Sequence, residues 1–153
     1  MMVKTVIKWS DDLSVGVSAL DDDHKKLIDI LEQLFVASFA GVGTEQIEQT
    51  LKDLHHYTKH HFAREERVME AHDYPSLEPH KFQHQKLVRQ LDEIEARIKD
   101  EVANNTEPSN ELIDFLRQWL IGHIREYDHE YAEFLKGQGI ENPPIPPGNM
   151  HSE

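Results

Sequence analysis

Five histidines and two carboxylates recur at helical spacings in this chain of 153 residues: His24, His61, Glu65, His80, His84, His123 and Asp128. Residues four apart share one face of an α-helix, so His61 with Glu65, and His80 with His84, can each aim at a common point. Inside a helix bundle an unpartnered polar group costs roughly 1–3 kcal/mol, and an unpaired charge far more. A metal centre satisfies all seven together. Imidazole combined with carboxylate suits iron, zinc or manganese. One tetrahedral zinc takes at most four ligands, so seven donors point to two metals, with Glu65 and Asp128 as bridges.

Whether these residues face inward depends on the elements that carry them. Asp21, Asp22 and Asp23 suit the cap and first turn of a helix that continues to about Ala40, where Gly41 and Gly43 end it. A second helix runs from Thr44 to about Ala71 and stops before Tyr74-Pro75, because a residue preceding proline resists the α conformation. The third begins near Ser76 or Leu77 and reaches about Ala103. After Asn104, Asn105, Thr106 and Pro108, a fourth is capped by Ser109 and extends to about Lys136, with Gly137 as C-cap. Long helices joined by short loops predict an all-α protein, an antiparallel up-down-up-down four-helix bundle with an extended N-terminal arm. The domain is expected to occupy residues 1–137. The Pro-rich tail, 138–153, with Pro143, Pro144, Pro146 and Pro147, is expected to be extended or disordered and packed at most loosely.

The apolar seams place the donors. In the second helix the seam reads Ile47, Leu51, Leu54, Thr58, His61, Glu65, Val68, His72, in steps of three and four. The third reads Leu77, His80, His84, Leu87, Leu91, Ile94, Ile98, and in the first His24 heads Leu27, Leu31 and Leu34, widened by Ile28 and Phe35. The fourth reads Leu112, Leu116, Trp119, His123, Asp128, Tyr131, Leu135, with a step of five between His123 and Asp128. On a regular α-helix five residues turn a side chain about 140° away. A π-type bulge between the two is therefore expected, a device common at functional sites.

Other histidines fit the pattern less well. His56 and His60 are also four apart, but they lie on the stripe Gln49, Asp53, His56, His60, Ala63, Arg67, a solvated face. His55 flanks the buried seam, His72 continues it at a helix end, and His129 and His151 look peripheral. Each chosen residue, taken singly, has an ordinary explanation: a half-buried histidine near a helix start, a surface carboxylate paired with a base. Together these explanations fail, because all four helices place nitrogen or oxygen donors on the core face.

Composition narrows the function classes. Sixteen basic against 29 acidic side chains give a formal charge of −13, which opposes binding to nucleic acid or anionic lipid. With no cysteine, disulfides, thiolate-bound zinc and iron–sulfur clusters are excluded. No apolar run is long enough to cross a bilayer, and the N-terminal segment has no signal-peptide core, so a cytoplasmic location is expected.

The sequence resembles the bacterial hemerythrins over about residues 7–136. The resemblance rests on Trp9, Ser14-Val15-Gly16-Val17, Asp21-Asp22-Asp23-His24, His61-Phe62-Ala63-Arg64-Glu65-Glu66, Tyr74-Pro75, His80-Lys81-Phe82-Gln83-His84 and the run Trp119–Asp128. It implies a non-haem di-iron centre with two iron ions: His80, His84 and His123 on one, His24 and His61 on the other. Glu65, Asp128 and an oxo or hydroxo group would bridge them. It also implies reversible binding of dioxygen at the open position of the two-histidine iron, by a monomer that is not an enzyme and whose protein acceptor of oxygen is unspecified. Phe62, Leu120, Ile124 and Leu27 or Ile28 are candidates for an apolar wall beside that position. Trp119 and Tyr127 are candidates for core packing or for orienting the imidazoles.

Rival readings share the same ligands. An oxidase, or a peroxide- or nitric-oxide-handling centre, would resemble oxygen-activating ferritin-like proteins, which carry two Glu-x-x-His motifs. Only Glu126 to His129 has that spacing here. An oxygen or redox sensor would need a separate output partner, iron storage a cage, and a phosphohydrolase on His72-Asp73 a cluster nearer that dipeptide.

Overall fold

The computed structural model describes residues 9–40, 44–104 and 110–146. Its helices are α1 (Ser18–Ala40), α2 (Thr44–Ala71), α3 (Leu77–Ala103), α4 (Asn110–His123) and α5 (His129–Gly137). Between α4 and α5 the chain winds through a π turn, Ile124–Asp128, so the three pieces form one fourth helix. α1 packs against α2 and α4, and α3 against the same two, the adjacency of an antiparallel four-helix bundle. No strand occurs among the described residues. Gly41, Gly43, Ser109, Pro147 and His151 lie outside them, as does the side chain of Leu112.

Burial follows the seams. Leu27, Leu31 and Leu34 on α1, Leu51 and Leu54 on α2, Leu87, Leu91 and Ile98 on α3, and Leu116 and Trp119 on α4 form one apolar cluster. A second cluster gathers Val15, Val17, Leu20, Val68, Met69, Tyr74, Tyr131 and Leu135 at the other end. Along every helix the seven polar donors fall between these two clusters. Apolar packing above and below therefore fixes the helix registers that bring the donors to one level.

α1 begins at Ser18, three residues ahead of the aspartates expected to start it. Asp21 still serves the helix end, because its carboxylate reaches back to accept from Val15 N–H at 2.8 Å and the Ser14 hydroxyl at 2.6 Å. Gly16, at φ 77°, makes the left-handed bend that turns the chain into the helix. The amide of Ser18 donates to Asn142 Oδ1 at 2.8 Å. Residues 138–146 thus pack more closely than expected: Pro143 is buried, Ile140 and Ile145 join the second cluster, and Arg67 Nε donates to the Pro146 carbonyl at 3.2 Å. Proline-rich chain can dock without secondary structure where apolar side chains meet an existing core.

Candidate metal centre

The structure brings all seven predicted residues together, each no more than 5% exposed. One group comprises His80, His84, His123, Glu65 and Asp128, another His24, His61, Glu65 and Asp128, with donor atoms in each group within 4.8 Å of one another. Glu65 presents Oε1 to His80 Nε2 (2.7 Å) and His84 Nε2 (3.0 Å), and Oε2 to His61 Nε2 (3.4 Å). Asp128 presents Oδ1 to His123 Nε2 (3.1 Å) and His80 Nε2 (3.3 Å), and Oδ2 to His24 Nε2 (3.1 Å). Both carboxylates therefore stand between two sets of imidazoles, one oxygen toward each.

The π turn makes this possible. The amide of His129 bonds back five residues to the Ile124 carbonyl, which widens the helix by one residue and returns Asp128 to the face of His123. The expected departure from α geometry is where the spacing required it.

Several of these atoms crowd together without bonding. His24 Nε2, His61 Nε2, Glu65 Oε2 and both oxygens of Asp128 are buried and lack hydrogen-bond partners, although separations run from 3.1 to 3.9 Å. Lone pairs that converge on a shared centre without aligning on one another suit cations. Left unmet, each would cost about 1–3 kcal/mol. The donors are nitrogen and carboxylate oxygen only, a set that fits iron.

Electrostatics agree. Burial disfavours a charged imidazole, yet the hydrogen bond to Asp23 and the adjacent Glu65 carboxylate push His61 up to about 9. Asp128 and Glu65 likewise outweigh burial at His80, raised to about 10, and at His123, raised to about 9. Burial opposes ionisation of Glu65 and Asp128 too, but the surrounding imidazoles hold both carboxyls well below their ordinary values. Without metal, His61, His80 and His123 keep their protons to higher pH than a free imidazole.

An outer set of contacts orients the rings. His61 Nδ1 meets Asp23 Oδ2 at 3.0 Å, and His84 Nδ1 meets Glu66 Oε2 at 2.7 Å, which turns both Nε2 atoms inward. Tyr127 stacks on His123, centroids 5.6 Å apart and planes 20° from parallel, as its candidacy implied. Trp119 does not touch an imidazole through its polar atom; Nε1 donates to the Leu87 carbonyl at 3.0 Å. Asp23 and Glu66 escaped the sequence reading, since Asp23 looked like one of three equivalent capping acids.

Beside His24, His61 and His123 lies a cavity of about 10 Å³ walled by Leu27, Phe62, Leu87, Trp119, Leu120 and Ile124. Phe62, Leu120, Ile124 and Leu27 are where the wall was expected, Ile28 is not part of it, and Leu87 is an addition. The other described histidines stay apart from the centre. His56 is exposed, and His72 Nδ1–H donates to the Val68 carbonyl at 2.8 Å. Half-exposed His55 sits between Asp92 and Glu95, at 3.3 and 3.0 Å, a polar contact joining α2 to α3.

A family model described as the hemerythrin HHE cation binding domain matches residues 15–135. The chain belongs to the hemerythrin family. It is 31% identical to a bacteriohemerythrin of Stenotrophomonas maltophilia over 86% of this chain and 82% of that one. Myohemerythrin-1 of Phascolopsis gouldii is 28% identical over 80% and 89%. A crystal structure of wild-type hemerythrin superposes with a TM-score of 0.67 at 28% identity, covering 83% of this chain and 95% of that one. As a hemerythrin the chain falls in a class that binds non-haem iron and dioxygen. No described helix is long and apolar enough to cross a membrane.

Proposed function

We propose that this hemerythrin holds two iron ions and binds dioxygen reversibly, for transport, storage or delivery, and is not an enzyme. The observation that carries the reading is the division of Glu65 and Asp128, each with one oxygen toward one set of imidazoles and one toward the other. His80, His84 and His123 would hold one ion, His24 and His61 the second, and the two carboxylates both. The second ion then has one protein donor fewer and is the more open to a small ligand. When bound, the iron pair supplies the reversible electron exchange that dioxygen binding needs.

The chain's own residues favour binding over turnover. A cavity of about 10 Å³ has room for roughly one water-sized molecule and none for an organic substrate. Its six apolar walls offer no proton donor apart from the indole of Trp119, which is committed to Leu87. Water and stray protons are thereby kept from a ligand that must leave unchanged. Five neutral imidazoles also bring less negative charge than the carboxylate-rich sites of oxygen-activating proteins, and so support high-valent iron poorly.

Iron analysis with optical spectra tests the proposal. Two irons per chain are expected, with bands that appear when the reduced protein meets air and vanish when oxygen is removed. A single irreversible oxidation would overturn the carrier reading in favour of an enzyme or redox sensor. His61→Ala is expected to lose one iron and the reversible bands, while His56→Ala keeps both.

A further inference from the structure

We propose that Asp23 and Arg64 are positioning residues that hold the two-histidine side of the centre through His61, and that their opposed charges set its reduction potential. The proposal rests on the two-iron reading above.

Asp23 is a carboxylate only 3% exposed, one residue before His24 on α1. It reaches across to α2 and takes three donors. His61 Nδ1–H and Arg64 Nε–H both donate to Oδ2 at 3.0 Å, and the Tyr57 hydroxyl donates to Oδ1 at 3.3 Å. Because Asp23 accepts, the proton of neutral His61 stays on Nδ1 and the lone pair of Nε2 faces Glu65.

His24 has no such support. Its Nδ1 is buried without a hydrogen-bond partner, and its ring stands edge-on to His61, centroids 4.6 Å apart at 70°. Both imidazoles on this side therefore depend on one carboxylate: Asp23 fixes His61, and His61 braces His24. The other side is supported separately, by Glu66 on His84, Phe62 stacked on the same ring, and Tyr127 on His123. The two sides share Glu65 and Asp128 but draw on separate outer contacts.

Arg64 is the cation paired with Asp23. Its guanidinium cancels the charge of Asp23 and reaches toward solvent, with its side chain 26% exposed. Sharing that carboxylate with Arg64 weakens its pull on His61. A bare carboxylate would pull harder on the Nδ1 proton, make Nε2 the stronger electron donor and favour oxidised iron.

Asp23→Ala, Asp23→Asn and Arg64→Met, loaded with iron, separate these roles. Asp23→Ala is expected to release one of two irons to a chelator at least tenfold faster than wild type, the size typical for loss of an outer partner, while the other stays. Asp23→Asn keeps an acceptor oxygen, so it should restore retention to within a few-fold and raise the reduction potential. Arg64→Met should keep both irons and lower the potential. Wild-type release from Asp23→Ala, or potential shifts of the same sign in Asp23→Asn and Arg64→Met, would overturn the proposal. If Asp23→Ala does not fold, the opposite signs still decide it. Failure of the unaltered protein to hold two irons would instead overturn the di-iron reading.

Discussion

Phe62 lies flat against His84, ring centroids 3.9 Å apart and planes 4° from parallel, and meets His123 edge-on at 5.5 Å. One phenyl thus packs two imidazoles of the three-histidine side and also walls the cavity. Phe62→Ala should destabilise the metal-free protein by about 3–5 kcal/mol, the usual cost of deleting a buried phenyl. In the loaded protein it should speed irreversible oxidation in air, because water reaches the site. Phe62→Leu should cost less and retain most of the exclusion. Denaturant titration and decay of the oxygenated spectrum measure the two effects.

Protons and metal compete for the same atoms, which gives a signed pH dependence. His61, His80 and His123 titrate near 9, 10 and 9 in the fold against 6.5 unfolded. Their stabilisation of the metal-free protein is therefore complete below about pH 6.5 and lost as pH rises through 9–10. Glu65 and Asp128 are depressed, so theirs is present above their unfolded values of 4.5 and 3.8 and lost as pH falls through the lower folded ones. Thermal stability without metal should be greatest between about pH 5 and 6.5 and decline toward pH 10. Iron displaces those protons, so the loaded protein should lack the alkaline decline, and uptake should acidify a weak buffer.

Much of this centre is legible in the sequence because burial in a bundle obeys a period. His61 and Glu65 continue a seam that starts at Ile47, so the same arithmetic that locates the core locates the ligands. The π turn is legible for the converse reason: a step of five at His123 breaks a period that resumes at Tyr131. Asp23 was not, because Asp21, Asp22 and Asp23 are chemically identical and only the helix start, three residues earlier than the aspartates suggest, decides their facing. Asp21 then caps, Asp22 is exposed and Asp23 turns inward. Glu66 was hidden likewise, since a surface glutamate beside a ligand carries no mark until α3 is docked. The packing of residues 138–146 depends on a surface made by three distant segments, which no local pattern encodes.

If the π turn only restores facing, removing one residue should restore it equally well. Deleting exposed Arg125 brings the fourth-helix pair to a spacing of four, which an ordinary α-helix places on one face. Its contact with Asp12, 3.5 Å between two exposed groups, adds little. The deletion variant should fold, keep its iron and show slower amide exchange in this segment as α-helical bonds replace wider ones. Loss of iron with an intact fold would mean that the wide turn itself aims the carboxylate.

Asn142 ties the C-terminal segment to the start of α1 through the Ser18 amide, and it does so in a left-handed conformation at φ 40°. Asparagine tolerates that conformation better than alanine does, and the amide it accepts is one that the helix itself leaves unbonded. Asn142→Ala removes the acceptor and adds backbone strain, for an expected loss of about 1–2 kcal/mol, within the range for helix caps. Truncation after Gly139 should cost more, since it also uncovers the second cluster by removing Ile140, Pro143 and Ile145. Neither change touches a donor atom, so iron content should stay at the wild-type value while the denaturation midpoint falls. An unchanged midpoint in the truncated protein would show that this segment rests on the bundle without stabilising it.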